Sequence, residues 1–169
     1  SGVLGADMLG ELEARGVLPD EYLILEVSAE LRHRQRQTLE ARVPGLIERV
    51  RWLDHLPGQP LSGVVVANEV LDAFPVSRFR LRGGRVEMLT VACDGGVLKA
   101  GWVPAHAAVH GAVARVLQTA ALEDGAESEV CLRLGPWIDV VASRLSRGMV
   151  LLFDYGYPRR DYYHPGRRH

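Results

Sequence analysis

Four short apolar segments most strongly constrain the fold of this sequence, because each has the length of a β-strand and helix-forming sequence separates most of them. They cover residues 22–28 (YLILEVS), 49–56 (RVRWLDHL), 63–67 (GVVVA) and 149–156 (MVLLFDYG). Strands that alternate with helices are typical of a parallel sheet with helices on both faces. The sequence therefore predicts an α/β fold with a mostly parallel sheet, in which the GVVVA strand is fully buried.

Helices are predicted where apolar residues have helical spacing or the composition favours a helix, at residues 1–16, 29–42, 106–122 and 136–148. In the last of them Pro136 marks the beginning, Leu145 belongs to the apolar face and Gly148 marks the end.

One part of the chain breaks this alternation. Residues 78–91 alternate polar with apolar side chains around Gly83-Gly84, which is the signature of a two-residue β-hairpin, and Asp94-Gly95-Gly96 turns the chain once more. We therefore predict an antiparallel hairpin insertion at about 77–103. A short segment at 129–134 is expected to lead back to the main alternation.

Composition limits the function classes. The 169 residues are 47% hydrophobic and 24% charged, without repeat or linker, so residues 1–169 are predicted to form one domain. A net charge of −1 argues against nucleic acid or a membrane surface as partner, and no apolar run reaches the roughly 18 residues of a membrane span. Cys93 and Cys131 are too few for a disulfide framework. Without a signal peptide, the expected location is inside the cell, in the cytoplasm of a bacterium.

The two ends suggest a piece of a longer protein. The chain enters a helix directly from Ser1-Gly2 without an initiator Met, and it stops within the loop-like sequence DYYHPGRRH. The basic, aromatic character of this end could suit RNA, but in so neutral a chain a loop is the better interpretation. We expect the first strand of the sheet to be missing.

An oxygen-bearing side chain ends each of the four apolar segments. These residues are Glu26, Asp54, the pair Asn68-Glu69, and Asp154. In an open α/β sheet, ligands bind at the carboxyl ends of the strands. Each acid taken alone is more often a helix cap or an exposed turn residue, but four together indicate a binding site.

Glu26 has the most specific chemistry of the four. A carboxylate after the second strand of a dinucleotide-type fold accepts hydrogen bonds from both hydroxyls of a ribose. This predicts an adenosine-containing cofactor, either a nicotinamide dinucleotide or S-adenosylmethionine (SAM). The glycine loop that would discriminate between them would precede the chain, and only Ser1 and Gly2 of it remain.

Several segments resemble the MidA-like family of class I SAM-dependent methyltransferases, which includes the mitochondrial complex I assembly arginine methyltransferase. They are SGVLGADML, YLILEVSAELRHRQRQTL, VVVANEVLDAFPVSRF, the GPWI helix start and VLLFDYGYPRRDYYHP. The resemblance runs through nearly the whole chain and implies a Rossmann-like class I methyltransferase fold. For a eukaryotic protein it also implies a location in the mitochondrial matrix. Family members are roughly twice as long as this chain.

The resemblance also implies roles for individual residues. SAM would be bound by Ser1, Gly2, Glu26, Ser28, Asp54 and Asn68. The acceptor, a protein arginine, would meet Asp154, Tyr155, Tyr157 and His164, with Tyr162 and Tyr163 nearby. Glu69 and Asp72 would be catalytic.

The chemistry of methyl transfer to arginine fits these carboxylates. Glu69 and Asp72 are three residues apart, so on a short helical turn they would lie on one side and could clamp a planar guanidinium. One of them would take the proton lost from the alkylated nitrogen. Alternatively, both could simply favour the N-terminus of a following helix.

Other interpretations remain open. A non-catalytic assembly protein could use the 78–103 hairpin region as its binding surface, and a nicotinamide-dependent oxidoreductase fits Glu26 alone. His106 and His110 have zinc-like spacing but no evident third ligand, so we assign no metal. A homodimer could cover the slot expected between the strands at 22 and 63, and we expect the chain alone to bind SAM weakly or not at all.

Overall fold

The computed structural model describes residues 2–164. Within that range the chain forms two compact units, the first ending at Leu61 and the second beginning at Ser62. The predicted α/β class with an antiparallel insertion is confirmed, whereas the prediction of a single domain stays a prediction. None of the helices in the described range is both long enough and apolar enough to cross a membrane.

The first unit contains two helices and a parallel strand pair. Its elements are α1 (Val3–Ala14), β1 (Tyr22–Leu25), α2 (Ala29–Arg42), a 3-10 helix (Pro44–Arg49) and β2 (Val50–Leu53). Gly16, at φ +68°, ends α1 as expected, because glycine adopts the left-handed conformation of a helix C-terminus without strain. The core of this unit is formed by Ala6, Leu9, Leu39, Leu46 and Val50.

The second unit contains the predicted hairpins. Its elements are β3 (Leu61–Asn68), β4 (Ser77–Arg82), β5 (Arg85–Asp94), β6 (Val97–Pro104), α3 (Ala107–Leu117), β7 (Glu127–Val130), α4 (Leu134–Ala142), β8 (Leu145–Phe153) and α5 (Arg159–Tyr162). The glycine pairs Gly83-Gly84 and Gly95-Gly96 all have positive φ, as tight two-residue hairpin turns require. Helix α3 packs its apolar face on this sheet around Phe79, Val109, Val113 and Val130.

One predicted helix in this unit was too long. Helix 106–122 ends earlier, at Leu117. The segment at 129–134 is followed by a helix and a strand, as expected. It overlaps strand β7, which begins at Glu127, pairs antiparallel with β4 and forms the edge of a sheet ordered β6-β5-β4-β7.

The predicted last helix was also too long. Helix α4 ends at Ala142, and Leu145 and Gly148 belong to strand β8, which pairs with β3. Gly148 has φ +143°, and a Cβ atom there would lie 1.7 Å from the carbonyl oxygen of Gly63. Close contact of the two backbones, rather than a helix end, therefore requires this glycine.

Full burial of β3 was another wrong prediction. Ala67 is buried, but Val65 and Val66 are only partly buried and the Val64 side chain is 56% exposed. In the described part of the chain β3 has a single hydrogen-bonded neighbour, β8. The side chains of a strand with one neighbour are covered by fewer surrounding residues than those of a central strand.

Candidate functional site

The ends of β1 and β2 bring two of the predicted acids to one edge. These strands are parallel and pair Leu25 with Leu53, so Glu26 and Asp54, which follow directly, leave the sheet on the same side. The main-chain N–H of Glu26 continues the ladder by donating to the carbonyl oxygen of Leu53 at 3.1 Å. The first unit therefore places both acids where an α/β sheet binds ligands.

The half-buried carboxylate of Glu26 is held by two hydrogen bonds. Its Oε1 accepts from the main-chain N–H of Ser28 at 2.9 Å, and its Oε2 accepts from Nε2 of Gln35 at 3.2 Å. An ionised carboxylate offers about four acceptor positions, so about two stay open. A vicinal diol presents two hydrogen-bond donors, which match the two open acceptor positions of the Glu26 carboxylate.

Ser28 and Gly2 have evident structural roles beside this carboxylate. The hydroxyl of Ser28 caps α2 by accepting from the N–H of Leu31 at 3.3 Å. Gly2 has φ +84°, and a Cβ atom at this position would lie 2.9 Å from both the Cα and the carbonyl oxygen of Gln35. Only glycine fits there. Ser1 lies outside the described residues.

Arg32 is an important residue that the sequence analysis missed. Its guanidinium donates to the carbonyl oxygen of Glu26, to that of Leu53 at 3.0 Å, and to Oδ1 of Asp54 at 2.5 Å. It thereby ties the ends of both strands together. Helical spacing could have identified it, because Arg32 and Gln35 are three residues apart on α2 and so share the face turned toward Glu26.

In the second unit, Glu69 leaves β3 with a strained backbone. Its φ is +52°, the single positive value among the described non-glycine residues. Its main-chain N–H donates to the carbonyl oxygen of Phe153, the last residue of β8, at 2.8 Å. Asn68 is the last residue of β3, and both Asn68 and Glu69 are exposed.

Asp154 holds the segment that follows Glu69, which we call the exit loop (residues 69–74). Its Oδ2 accepts from the N–H groups of Leu71 at 2.7 Å and Asp72 at 3.3 Å, and its Oδ1 accepts from that of Tyr155 at 2.9 Å. Both oxygens are therefore engaged with the backbone. Contact between Asp154 and an acceptor stays a prediction, whereas its hold on the exit loop is observed.

The exit loop has a third fixed point at its far end. The ring of Phe74 packs edge-on against Trp137 of α4, with ring centroids 5.6 Å apart. The loop is thus fixed at its start, middle and end. These three contacts fix the backbone that carries the exposed carboxylate of Glu69.

The geometric premise for Glu69 and Asp72 was wrong. Glu69 is not helical, the N–H of Phe74 closes a turn on the carbonyl oxygen of Leu71 at 3.2 Å, and the next element is strand β4. The three-residue spacing therefore does not place both carboxylates on one side of a helical turn. The alternative of a helix N-terminus is wrong for the same reason, because no helix follows the turn. Catalytic roles for Glu69 and Asp72 stay predictions.

The tyrosines near the end of the described range pack inward. The hydroxyl of Tyr162 donates to Oε1 of Glu129 at 2.6 Å, and that of Tyr163 donates to the carbonyl oxygen of the same residue at 3.0 Å. Burial raises the pKa of Tyr163; Arg159 lowers it, and Glu129 adds to the rise. Tyr155, Tyr157 and His164 are exposed, and their predicted contact with the acceptor is not tested by this arrangement.

No group of three or more metal-binding side chains occurs within residues 2–164, and His106 instead precedes α3 as its N-cap. The described range thus contains a carboxylate suited to a diol, in the first unit, and a strained, exposed glutamate, in the second.

Comparison with known proteins identifies the family. Residues 1–169 match the model of Methyltransf_28, described as "Putative S-adenosyl-L-methionine-dependent methyltransferase". The chain belongs to the Methyltransf_28 family. No curated protein matches this Methyltransf_28 chain.

Two solved structures from Burkholderia thailandensis resemble this Methyltransf_28 chain. One is an uncharacterized COG1565 superfamily protein, with 40% identity, a TM-score of 0.87 and 98% of this chain covered. The other is a COG1565 superfamily member bound to S-adenosyl-homocysteine, with 40% identity, a TM-score of 0.86 and 96% covered. The chain spans 43% and 41% of these two proteins.

Proposed function

We propose that this protein is a SAM-dependent methyltransferase that modifies an arginine side chain of a protein. The main support for SAM as the cofactor is the position of Glu26. Its carboxylate lies at the ends of β1 and β2 and can accept hydrogen bonds from a ribose diol. The family description and the S-adenosyl-homocysteine in a 40% identical neighbour support it, because S-adenosyl-homocysteine is what SAM becomes after losing its methyl group. Gly2, Ser28 and Asp54 lie in the same unit as Glu26, and these four residues are called the proposed cofactor half. Contact of Asn68, the last residue of β3, with the cofactor stays a prediction.

The residue proposed to contact the acceptor is Glu69. SAM supplies an activated methyl group on a sulfonium, so the protein mainly has to hold a nucleophile in line with it. Glu69 is exposed on a loop fixed at several points, and a carboxylate so placed can pair with a guanidinium and accept its proton. The resemblance to MidA-like enzymes adds support for arginine as the acceptor. MidA-like membership is itself part of this proposal.

Two measurements test the proposal. Calorimetric titration of SAM and of NAD into the full-length gene product should give micromolar binding of SAM alone; absence of SAM binding would reject a methyltransferase, and binding of NAD would favour an oxidoreductase. Labelled SAM should then mark a protein in an extract from a strain that lacks the gene. Mass spectrometry should place the label on arginine, and label on another residue type would overturn the acceptor assignment.

A non-catalytic interaction protein is the second candidate. The observation that favours it is the exposure of apolar side chains near the tip of the β5–β6 hairpin. Val91 and Leu98 are 63% and 75% exposed on one face, and Val97 is 59% exposed on the other. The tip of this hairpin is where a homodimer or protein partner would be sought. This function would be favoured if the strain needed the gene for growth and the protein bound the cofactor normally, but no protein in the extract became labelled.

A further inference from the structure

Gln35, in the middle of α2, contacts two residues of the proposed cofactor half at once. Its Nε2 donates to Oε2 of Glu26 at 3.2 Å, and its backbone lies against Gly2 so closely that a Cβ atom on Gly2 would be 2.9 Å from it. Gln35 is half-buried and shares with Arg32 the face of this helix that is turned toward Glu26.

The orientation of the Gln35 amide is fixed by Trp52. An indole N–H can only donate, so the side-chain oxygen of Gln35 must face Trp52, and it accepts from Nε1 at 2.9 Å. The amide nitrogen is then left to face Glu26. The Trp52 ring is itself fixed, with the Arg36 guanidinium 4.5 Å above it.

The hydrogen bonds from Trp52 to Gln35 and from Gln35 to Glu26 determine the orientation of the Glu26 carboxylate. The N–H of Ser28 holds only Oε1, and one hydrogen bond leaves a carboxylate free to swing about it. The bond from Gln35 to Oε2 removes that freedom. Arg32 contacts the main-chain carbonyl of Glu26 rather than its side chain, so it cannot perform this role.

We propose that Gln35, oriented by Trp52, is a positioning residue that aims the Glu26 carboxylate at both ribose hydroxyls of the cofactor and thereby makes the site selective for a ribose diol. This inference rests on the proposed cofactor. It assigns to Gln35 a contribution to selectivity rather than a contact with the cofactor.

The test compares two ligands in four proteins. The ligands are S-adenosyl-homocysteine and its analogue with both ribose hydroxyls replaced by hydrogen, and dissociation constants are measured by calorimetry with the full-length gene product. Gln35→Met keeps length and removes both hydrogen bonds; Gln35→Glu keeps the acceptor for Trp52 but sets a carboxylate against Glu26. Gln37→Met is the matched control, because Gln37 is an exposed glutamine of the same helix.

The wild type and Gln37→Met should bind the parent ligand at least about tenfold more tightly than the analogue, since a hydrogen bond to a charged group has about that effect. In Gln35→Met this ratio should fall toward one, through loss of affinity for the parent ligand alone. In Gln35→Glu the ratio should be low at neutral pH and recover as the pH falls, because two adjacent carboxylates then share a proton and a donor is restored.

Equal weakening of both ligands in Gln35→Met would show a packing role and overturn the inference, as would an unchanged ratio. Should Gln35→Met fail to fold, the pH response of Gln35→Glu decides alone, and a flat response would also overturn it. Failure of the wild type to bind S-adenosyl-homocysteine would reject both the proposed function and this inference. Normal binding by the wild type, with an unchanged ratio in Gln35→Met, would reject only the inference.

Discussion

The main-chain N–H of Glu69 donates to the carbonyl oxygen of Phe153 at 2.8 Å and so joins the end of β3 to the end of β8. The bond holds Glu69 at φ +52°, a conformation that costs a residue with a side chain roughly 1–2 kcal/mol. Strain of this kind persists only where the surroundings impose it, and it is concentrated at functional sites. The relationship therefore supports Glu69 as the functional residue of the exit loop more strongly than its charge does.

Replacing Glu69 should separate the effect of its backbone strain on stability from the effect of its carboxylate on activity. Glu69→Gly relieves the positive φ, so it should unfold at higher urea than Glu69→Ala, with a difference of about 1 kcal/mol in the free energy of unfolding. Both variants should lose methyl transfer, and so should Glu69→Gln, which keeps the shape of the side chain. Full activity in Glu69→Gln would show that the carboxylate is not needed.

Asp154 should act on activity through the exit loop. Asp154→Ala removes the acceptor for the N–H groups of Leu71, Asp72 and Tyr155, so the loop that carries Glu69 should lose its fixed position. Misplacement of a reacting group by about 1 Å can cost on the order of 10²-fold in rate, and we expect a loss of that order in kcat. Asp139→Asn, on the exposed side of α4, is the control and should have near-normal kcat. A normal kcat in Asp154→Ala would contradict this role.

Local patterns predicted a large part of the fold. The hairpins follow from Gly83-Gly84 and Gly95-Gly96, because the turns need positive φ at both residues. Acids directly after strands predicted the positions of Glu26 and Asp54 at one sheet edge, which the parallel pairing of β1 and β2 confirms.

The failures have a common physical cause. Leu145 has helical spacing from Val141, but its strand is fixed by pairing with β3, about 85 residues away along the chain, at the contact of Gly148 with Gly63. Likewise, no local signal places Glu69 in the left-handed region, because its N–H donates to the distant carbonyl oxygen of Phe153, and the loop that follows donates to Asp154 from the N–H groups of Leu71 and Asp72. Long-range contacts decided these features, and a single sequence does not display them.

Arg32 should be intolerant of lysine. Its planar guanidinium donates from two nitrogens to oxygens of Glu26, Leu53 and Asp54, a fork that a single ammonium cannot reproduce. We expect Arg32→Lys to lower the free energy of unfolding by about 1–2 kcal/mol, mostly through the main-chain carbonyls, since the Asp54 side chain is 75% exposed.

The matched control for Arg32 is Arg34→Lys in the same helix. Arg34 pairs with Glu30 on the exposed surface, so its replacement should change stability by less than about 0.5 kcal/mol in urea unfolding. Equal effects of the two lysine variants would contradict a special role of Arg32.

Tyr22 should make stability depend on alkaline pH. Burial raises the pKa of Tyr22 above its ordinary value of 10.0, and its hydroxyl donates to Sδ of Met8 at 3.7 Å. Because the folded-state pKa is the higher one, the contribution of Tyr22 is fully present below pH 10.0 and is lost as the pH rises through the folded-state pKa. Urea unfolding between about pH 8 and 11 should show a shallower decline in Tyr22→Phe than in the wild type. Tyr155→Phe, at an exposed position, is the control, and an identical decline in Tyr22→Phe and wild type would refute the prediction.

Gly148→Ala should break the pairing of β3 with β8. The added Cβ would meet the carbonyl oxygen of Gly63 at 1.7 Å, and the backbone φ of +143° is one that residues with side chains rarely adopt. Neither the strand backbone nor the carbonyl can move without losing ladder hydrogen bonds, so we expect a loss of roughly 3 kcal/mol or more in the free energy of unfolding.

The control is Gly101→Ala, a strand glycine with open space around the added atom and no positive φ. It should change stability by less than about 0.5 kcal/mol. Since Phe153 and Asp154 at the end of β8 hold the exit loop, Gly148→Ala should also lower methyl transfer under conditions where the variant is still folded. A stable and fully active Gly148→Ala variant would show that the β3–β8 contact does not position Glu69.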